Sequence, residues 1–419
     1  MGDESTARLR PPNLTDTFSR AKSPGFLPQL AHATLAAMSR TDLTRRAAIC
    51  VLPLVLAACA TQVPSPPDAA PAATPAPATT TPGTDPLPPP LPAMPLAEAK
   101  AAFVRDTAAQ SGVEAAYIES VLARAQISES IIAAMSRPAE AKPWRDYRPI
   151  FITQGRIDGG KAFLATHRDA LARAEAQYGV PAEIIVSIIG VETSFGANMG
   201  KYRVVDALYT LAFAYPRTGD PAKADRENRR EAFFRGELAQ LFALGKETGM
   251  DITTLTGSYA GAMGWGQFMP SSYREYAVDG NGDGKRDLFT STDDVFASIA
   301  NYFVKKGGWM RGAPVTVRAN RAADARDLEP ESLEPVVPMA ELAARGFRPL
   351  VDVPGVQTAT VLKFDGVSGP EYWFGFRNFH AITRYNISKH YAMAVYQLSE
   401  AVAGRENPLA AVVEGQSGA

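Results

Sequence analysis

Ile184-Ile-Val-Ser-Ile-Ile-Gly-Val-Glu192 is an apolar run, interrupted only by Ser187, that ends on a carboxylate and continues as Thr193-Ser-Phe-Gly196. Pro181 stands where a first-turn proline opens a helix, and Ile184, Ile185, Ile188 and Ile189 recur at the spacing of one buried helical face. Continued by three or four residues, that face reaches Glu192. Glutamate is rarely buried without a partner, and an apolar surround penalises its charged form, which raises its pKa toward the range of a general acid. The same residue would equally serve to pair a nearby arginine or to cap the following turn, and the helix pattern does not separate these readings.

The bulk composition bounds the setting. A chain of 419 residues, 46% hydrophobic and 21% charged, is a globular protein with one large or two smaller domains. Its 43 Lys and Arg nearly balance 44 Asp and Glu, which gives no global field for a polyanion, so no nucleic-acid partner is expected. Both cysteines, Cys50 and Cys59, lie in one short stretch, leaving the rest of the chain no intramolecular disulfide. Arg45-Arg46 precede the apolar run 47–58, too short to span a bilayer and of the right length for a secretory signal core. It ends Leu56-Ala-Ala-Cys59, which resembles the lipobox of bacterial lipoproteins. That resemblance implies a signal peptide over 38–58, cleavage before Cys59 and a lipid on Cys59; the expected place is the periplasmic face of a Gram-negative outer membrane, with an inner-membrane anchor the alternative. The alternative is an ordinary signal with an incidental cysteine. Residues 1–37 do not fit a signal peptide, whereas Met38 begins a normal one, so translation is expected to start there.

Residues 59–96, rich in Pro, Ala and Thr, lack apolar periodicity and read as a disordered tether. Helical spacing begins at about 97, around Phe103, Ile118-Val121-Leu122 and Ile131-Ile132, and Lys142-Pro143 punctuates it. Further helices are expected over 160–178, through Glu192, and over 206–215, 229–244 and 388–402, the last with Tyr391, Val395 and Leu398 on one face. Between about 313 and 374, Val-Thr and aromatic runs broken by Pro and Gly read as short strands of a small mixed insertion. The folded part then spans 97–405, with a flexible tail over 406–419 and no internal repeat.

A second informative segment runs Gly257-Ser-Tyr-Ala-Gly-Ala-Met-Gly-Trp-Gly-Gln-Phe-Met-Pro-Ser-Ser-Tyr273. Its glycines permit close approach of backbone to a ligand, and its aromatic faces and amide suit a sugar ring. Taken alone, a glycine-rich turn is more often only a turn. Together, Gly190-Val-Glu-Thr-Ser-Phe-Gly196 and Gly261-Ala-Met-Gly-Trp-Gly-Gln-Phe-Met-Pro-Ser-Ser-Tyr273 resemble the lytic murein transglycosylase B family, membrane-bound peptidoglycan lyases. The resemblance covers residues 97–402, including Tyr147-Arg-Pro-Ile-Phe-Ile152, Ala300-Asn-Tyr-Phe303 and Arg384-Tyr-Asn-Ile-Ser388. It implies a mainly α fold: a lysozyme-like α-helical catalytic core with an N-terminal helical segment and a small mixed α/β insertion.

It further implies that Glu192 is the sole catalytic acid/base and that Tyr147, Ser258, Gln267, Tyr302, Tyr385, Asn386 and Tyr391 line a glycan groove. Tyrosine faces stack on sugars, while hydroxyls and amides read their polar groups. Core packing is the competing role for the tyrosines, above all for Tyr391 on an apolar face. Arg229 and Arg230 stand where the family meets the stem peptide, and on their own would read as a solvated helix face. Glycosidases ordinarily use two carboxylates. Here one is assignable, and one suffices if Glu192 protonates the glycosidic oxygen, the substrate's N-acetyl group stabilises the cation, and Glu192 then activates the muramyl 6-hydroxyl to give a 1,6-anhydro sugar. No catalytic cofactor is implied. The partners implied are peptidoglycan strands, the membrane through Cys59, and cell-wall synthesis proteins. The rival readings are a lysozyme-type hydrolase and a non-catalytic peptidoglycan-binding lipoprotein.

Asp279-Gly-Asn-Gly-Asp-Gly-Lys285 matches the front half of an EF-hand loop, with side-chain oxygens from Asp279, Asn281 and Asp283, a glycine at position six and the backbone carbonyl of Lys285. Position twelve is Thr290, so the standard loop does not close. Asp294 is the candidate closing carboxylate of a longer loop around a structural calcium ion. Its competing role is to cap the next helix with Ser291.

Overall fold

The computed structural model describes residues 87–92, 94–136 and 142–405. The expectations for 1–58, for most of the tether and for the tail 406–419 fall outside the described residues. Three helices come first, α1 (Leu96–Ser111), α2 (Ala115–Arg124) and α3 (Glu129–Met135), where the apolar spacing placed them, and they bury Phe103, Ile118, Val121 and Ile131. Pro143 caps α4 (Trp144–Phe151).

The single helix expected over 160–178 is two, α5 (Gln154–Thr166) and α6 (Arg168–Tyr178), separated at His167. No glycine or proline marks the break. Tertiary packing decides it, because α5 lies on the following helix α7 (Ala182–Thr193) and on α14 (Lys389–Ala403), whereas α6 runs along α11 (Thr292–Tyr302). The reading of α7 also needs correction. Pro181 is its N-cap, and every residue from Ile184 to Thr193 is buried, not one face alone. With α5, α6, α11 and α14 around it, α7 is the central helix, and a helix in that position must be apolar on all sides.

Strand β1 (Tyr202–Arg203) leads into α8 (Val204–Phe213), which packs on the long helix α9 (Ala224–Thr248). Both differ at their ends from the expected 206–215 and 229–244; α9 runs on to Gly249, whose φ of 73° ends it. Strand β2 (Thr256–Gly257) pairs antiparallel with β1 and opens the glycine loop, which closes into α10 (Pro270–Tyr276).

After α11 come β3 (Thr316–Arg321), β4 (Val337–Pro338), α12 (Met339–Ala344), β5 (Phe347–Pro349), β6 (Thr358–Gly366) and β7 (Gly369–Gly375). The strands form an antiparallel sheet in the order β4-β6-β7-β3-β5. Its two faces follow the period of two. Ala359, Val361 and Phe374 join a small core with Leu342 and Phe347, while Leu362, Phe364 and Trp373 join the main helical core. α13 (Arg377–Thr383) returns the chain to α14, whose N-cap Ser388 accepts from Tyr391 N.

Candidate active site

Glu192 lies one residue before the end of α7 and is 2% exposed. The chain then takes three consecutive left-handed residues, Ser194, Phe195 and Gly196, with φ of 50°, 62° and 83°. For L residues this conformation costs roughly 1–2 kcal/mol each, so the turn must be held by its contacts. Phe195 N donates to Ile189 O at 3.2 Å, and Gly196 N donates to Thr193 Oγ1 at 3.0 Å. Thr193 Oγ1 lies 3.1 Å from both the Ile189 and the Trp265 carbonyl oxygens, tying the turn to the glycine loop. The Phe195 ring folds back over Gly190, where a Cβ would stand 2.8 Å from it, and a Cβ on Gly196 would stand at the same distance from the Trp265 ring.

The Glu192 carboxyl is oriented by Tyr391, whose hydroxyl donates to Oε1 at 2.6 Å from the first turn of α14. Burial, and then the charge of Glu192, hold the Tyr391 hydroxyl well above the usual tyrosine range, so it remains a donor at any physiological pH. Tyr385 is raised by the same two causes in the same order, and donates to Gly266 O at 2.5 Å. Tyr302 donates to Arg384 O at 2.7 Å and packs edge-on against Tyr385, ring centroids 4.9 Å apart. Tyr147 is fully buried against Phe151 and His390 and adds to the field on Tyr391. Asn386 is buried, and its Nδ2 has no hydrogen-bond partner among the described residues.

The glycine loop is pinned from within. Ser258 Oγ accepts from Ala260 N and Ala262 N at 3.3 and 3.1 Å. Gln267, itself at φ 52°, donates from Nε2 to Gly264 O at 2.9 Å and to Met199 O at 3.2 Å. Trp265 Nε1 donates to Phe289 O at 2.9 Å, which sets its ring against Gly196. Glu192, Tyr391, Tyr385 and Tyr147 thus form one coupled set, with Gln267 and Tyr302 adjoining through the loop and the aromatic cluster. Arg229 and Arg230 stand on α9 with contacts of their own. Arg229 is solvated and pairs with Asp225 at 2.8 Å; Arg230 is buried, donates to Tyr215 Oη at 3.0 Å and covers the Phe234 ring.

Sequence reasoning missed Thr193 and Glu237. Thr193 is legible in hindsight as the hydroxyl beside the acid. Glu237 had no signal, being one carboxylate on a strongly charged helix. It is 4% exposed, accepts from Ser271 N at 2.9 Å and Ser271 Oγ at 2.6 Å, and so anchors the start of α10 where the glycine loop ends. Burial pushes its pKa up to about 7 against the two hydrogen bonds from Ser271.

In the Asp279 loop, carboxylate oxygens cap backbone amides. Asp279 accepts from Gly282, Asp283 and Gly284 N, Asn281 Oδ1 from Asp283 N, and Asp283 Oδ1 from Lys285 N. Those backbone bonds, that of Gly284 above all, hold the Asp279 carboxyl below the usual range. Asp294, the candidate closing carboxylate, is engaged within the loop itself. It is fully buried, and its two oxygens accept from Gly280 N at 2.9 Å and Asp287 N at 2.7 Å, stapling both ends of the loop. Ser291 Oγ accepts from Asp294 N at 3.3 Å, as the capping reading expected. Among the described residues no three His, Cys, Asp or Glu side chains are grouped to hold a metal.

Residues 96–400 match the family model described as the transglycosylase SLT domain. The chain belongs to this lytic transglycosylase family. Membrane-bound lytic murein transglycosylase B of Escherichia coli strain K12 is 41% identical over 311 residues, 72% of this chain and 81% of its own length. The crystal structure of soluble lytic transglycosylase SltB1 from Pseudomonas aeruginosa superposes with a TM-score of 0.64 at 46% identity, over 73% of this chain and 98% of that one. The Escherichia coli lytic transglycosylase Slt35, solved in complex with calcium, gives 0.64 at 41% identity, over 73% and 93%. This lytic transglycosylase is accordingly a peptidoglycan-degrading enzyme built on a mainly α fold.

Proposed function

We propose that Glu192 is the single acid/base that cleaves the β-1,4 bond between N-acetylmuramic acid and N-acetylglucosamine, with formation of a 1,6-anhydromuramyl product. The observation that carries this reading is how the buried carboxylates are used. Among the described residues these are Glu192, Glu227, Glu237 and Asp294. Glu227 accepts from Thr218 N and Oγ1, Glu237 from Ser271, and Asp294 from two loop amides. Glu192, which accepts from the Tyr391 hydroxyl, leads straight into the turn that Thr193 ties to the middle of the glycine loop at Trp265 O, whereas Glu237 meets only the loop's far end at Ser271. With no second buried carboxylate free to act as base or nucleophile, Glu192 acts twice. It protonates the leaving oxygen, the substrate's acetamido group stabilises the cation, and the carboxylate then takes the proton of the muramyl 6-hydroxyl as that oxygen closes on the anomeric carbon. Tyr391 keeps the carboxyl aimed through both transfers. General acid/base help contributes roughly 10²–10⁴-fold, and positioning in the groove supplies much of the rest.

Ser258, Gln267, Tyr147, Tyr302, Tyr385 and Asn386 wall that groove, Asn386 offering a donor still to be satisfied, and Arg229 and Arg230 meet the stem peptide. A lipid on Cys59 holds the enzyme to the periplasmic face of the outer membrane. Asp279, Asn281 and Asp283, with the Lys285 carbonyl and Asp294 as the closing carboxylate, hold a calcium ion that stiffens their loop and takes no part in catalysis; calorimetric titration with calcium giving neither heat nor thermal shift would remove it. The catalytic reading is tested by mass analysis of muropeptides released from purified sacculi by wild type and Glu192→Gln. Anhydro products from wild type and none from the variant are expected. Products heavier by one water would instead make the protein a hydrolase, and near-normal turnover by Glu192→Gln would overturn the acid assignment.

A further inference from the structure

The described arginines drawn from water divide between those paired with a carboxylate and those with neutral partners, as Arg230 has in Tyr215 and the Phe234 ring. Arg235, half-removed from water on α9, has Glu231 at 2.6 Å. Arg156 is of the second kind. It lies in the first turn of α5, and its guanidinium is wedged between the end of α4 and the left-handed turn that follows Glu192. Nη1 donates to Ile150 O at 2.8 Å, Nη2 donates to Ser194 Oγ at 3.2 Å, and the Phe151 ring lies beneath at 5.4 Å. All its partners are neutral. Burial alone accounts for the lowering of its pKa, and no acid of the described residues offsets it.

A cation drawn out of water without a counter-charge is under-compensated. A guanidinium presents five N–H donors in a fixed fork, of which the Ile150 and Ser194 contacts engage one on each Nη. Arg156 and Ser194 are both only partly buried, so the fork keeps access to solvent. The Phe195 ring, packed on Gly159 and Gly160 of α5, fixes this helix against that turn, so that Arg156 cannot drift from Ser194 without dislodging the turn.

We infer that Arg156 and Ser194 form a carboxylate receptor beside Glu192 that takes an acidic group of the stem peptide carried by the glycan strand. The inference rests on the reading of Glu192 as the acid acting on peptidoglycan. It differs from the role given to Arg229 and Arg230, which already hold Asp225 and Tyr215 respectively. A carboxylate accepts two parallel N–H bonds from the guanidinium, and the Ser194 hydroxyl is placed to donate a third. Strands that keep their peptides are therefore held more tightly than strands stripped of them.

The test is equilibrium binding by calorimetry in the catalytically silent Glu192→Gln protein, with a GlcNAc-MurNAc oligosaccharide bearing its stem peptide and the same oligosaccharide without it. Arg156→Gln should weaken the peptide-bearing ligand about tenfold, as expected for loss of a charge-assisted bidentate contact, and change the peptide-free ligand less than twofold. Arg156→Lys, which keeps the charge and loses the fork, should recover part of the loss. Equal weakening of both ligands would show that Arg156 only shapes the turn, and no change in either would remove it from recognition; both results overturn the inference. Cleavage of ligand by the Glu192→Gln background would overturn the acid assignment instead, and the same two-ligand comparison is then read from initial rates.

Discussion

Replacement of Glu237 by Gln isolates the cost of a buried carboxyl that anchors the start of α10. Glu237 sits between α9 and α10, 4% exposed, with Ser271 N and Oγ as its donors. Burial carries its pKa from 4.5 to about 7 in the folded protein. A raised acid pKa means that the folded state binds the proton more tightly than the unfolded chain, so this group's contribution is fully present below pH 4.5 and is lost as pH rises through 7. At 1.36 kcal/mol per unit, a rise of about 2.5 units corresponds to about 3 kcal/mol. Gln keeps an oxygen acceptor for Ser271 and cannot ionise. The stability of Glu237→Gln relative to wild type should therefore rise by about 3 kcal/mol between pH 4 and pH 8, with the steepest change between 4.5 and 7. Urea unfolding followed by circular dichroism at half-unit pH steps measures this difference directly, and titrations elsewhere in the chain cancel. A difference that stays flat with pH would refute the reasoning, and one that moves the other way would mean that Ser271 outweighs burial.

Three further outcomes are expected. Tyr391→Phe removes the 2.6 Å hydrogen bond to Glu192; a bond to a charged group is worth about 1.5–3 kcal/mol, so kcat should fall roughly 10- to 100-fold with the circular dichroism spectrum unchanged. Gly196→Ala forces a Cβ into a left-handed position 2.8 Å from the Trp265 ring; unfolding should show a loss of about 2 kcal/mol or more, accompanied by loss of muropeptide release. Asp294→Ala leaves two loop amides without their acceptor; thermal unfolding should show destabilisation of about 2–4 kcal/mol, and any calcium heat should vanish because the loop is no longer stapled.

The parts of this molecule that were legible in the sequence are those set by local spacing. The apolar faces of α1 to α3 and the alternation along β6 and β7 announce themselves because burial imposes a period, and the Glu192 helix because Pro181 opens a long apolar run. What was illegible depends on neighbours distant in sequence. The break at His167 arises because α5 and α6 rest on different partners, and burial of α7 on all sides follows from the helices around it. The tyrosines were readable as residue types but not as roles: Tyr391 turns to the acid, whereas Tyr302 and Tyr385 turn their hydroxyls to backbone carbonyls. Glu237 and Arg156 gave no sign, because a charged residue on a helix is usually solvated and only the fold reveals the exception.

The turn after α7 bears on what the Gly190-Val-Glu-Thr-Ser-Phe-Gly196 signature records. Both glycines are excluded from carrying a side chain by aromatic rings, Phe195 over Gly190 and Trp265 over Gly196, and Thr193 is held by the two carbonyls it meets. Four of the seven positions therefore describe a mechanical latch between two segments, and Glu192 is the one to which the proposed acid/base chemistry is assigned. Latch and acid are separable: a descendant that lost the carboxylate could keep the ring contacts, the buried helix and the groove intact. Recognition of the pattern then certifies the scaffold, and under the proposed mechanism the identity of one residue decides whether that scaffold cuts a strand or only holds it.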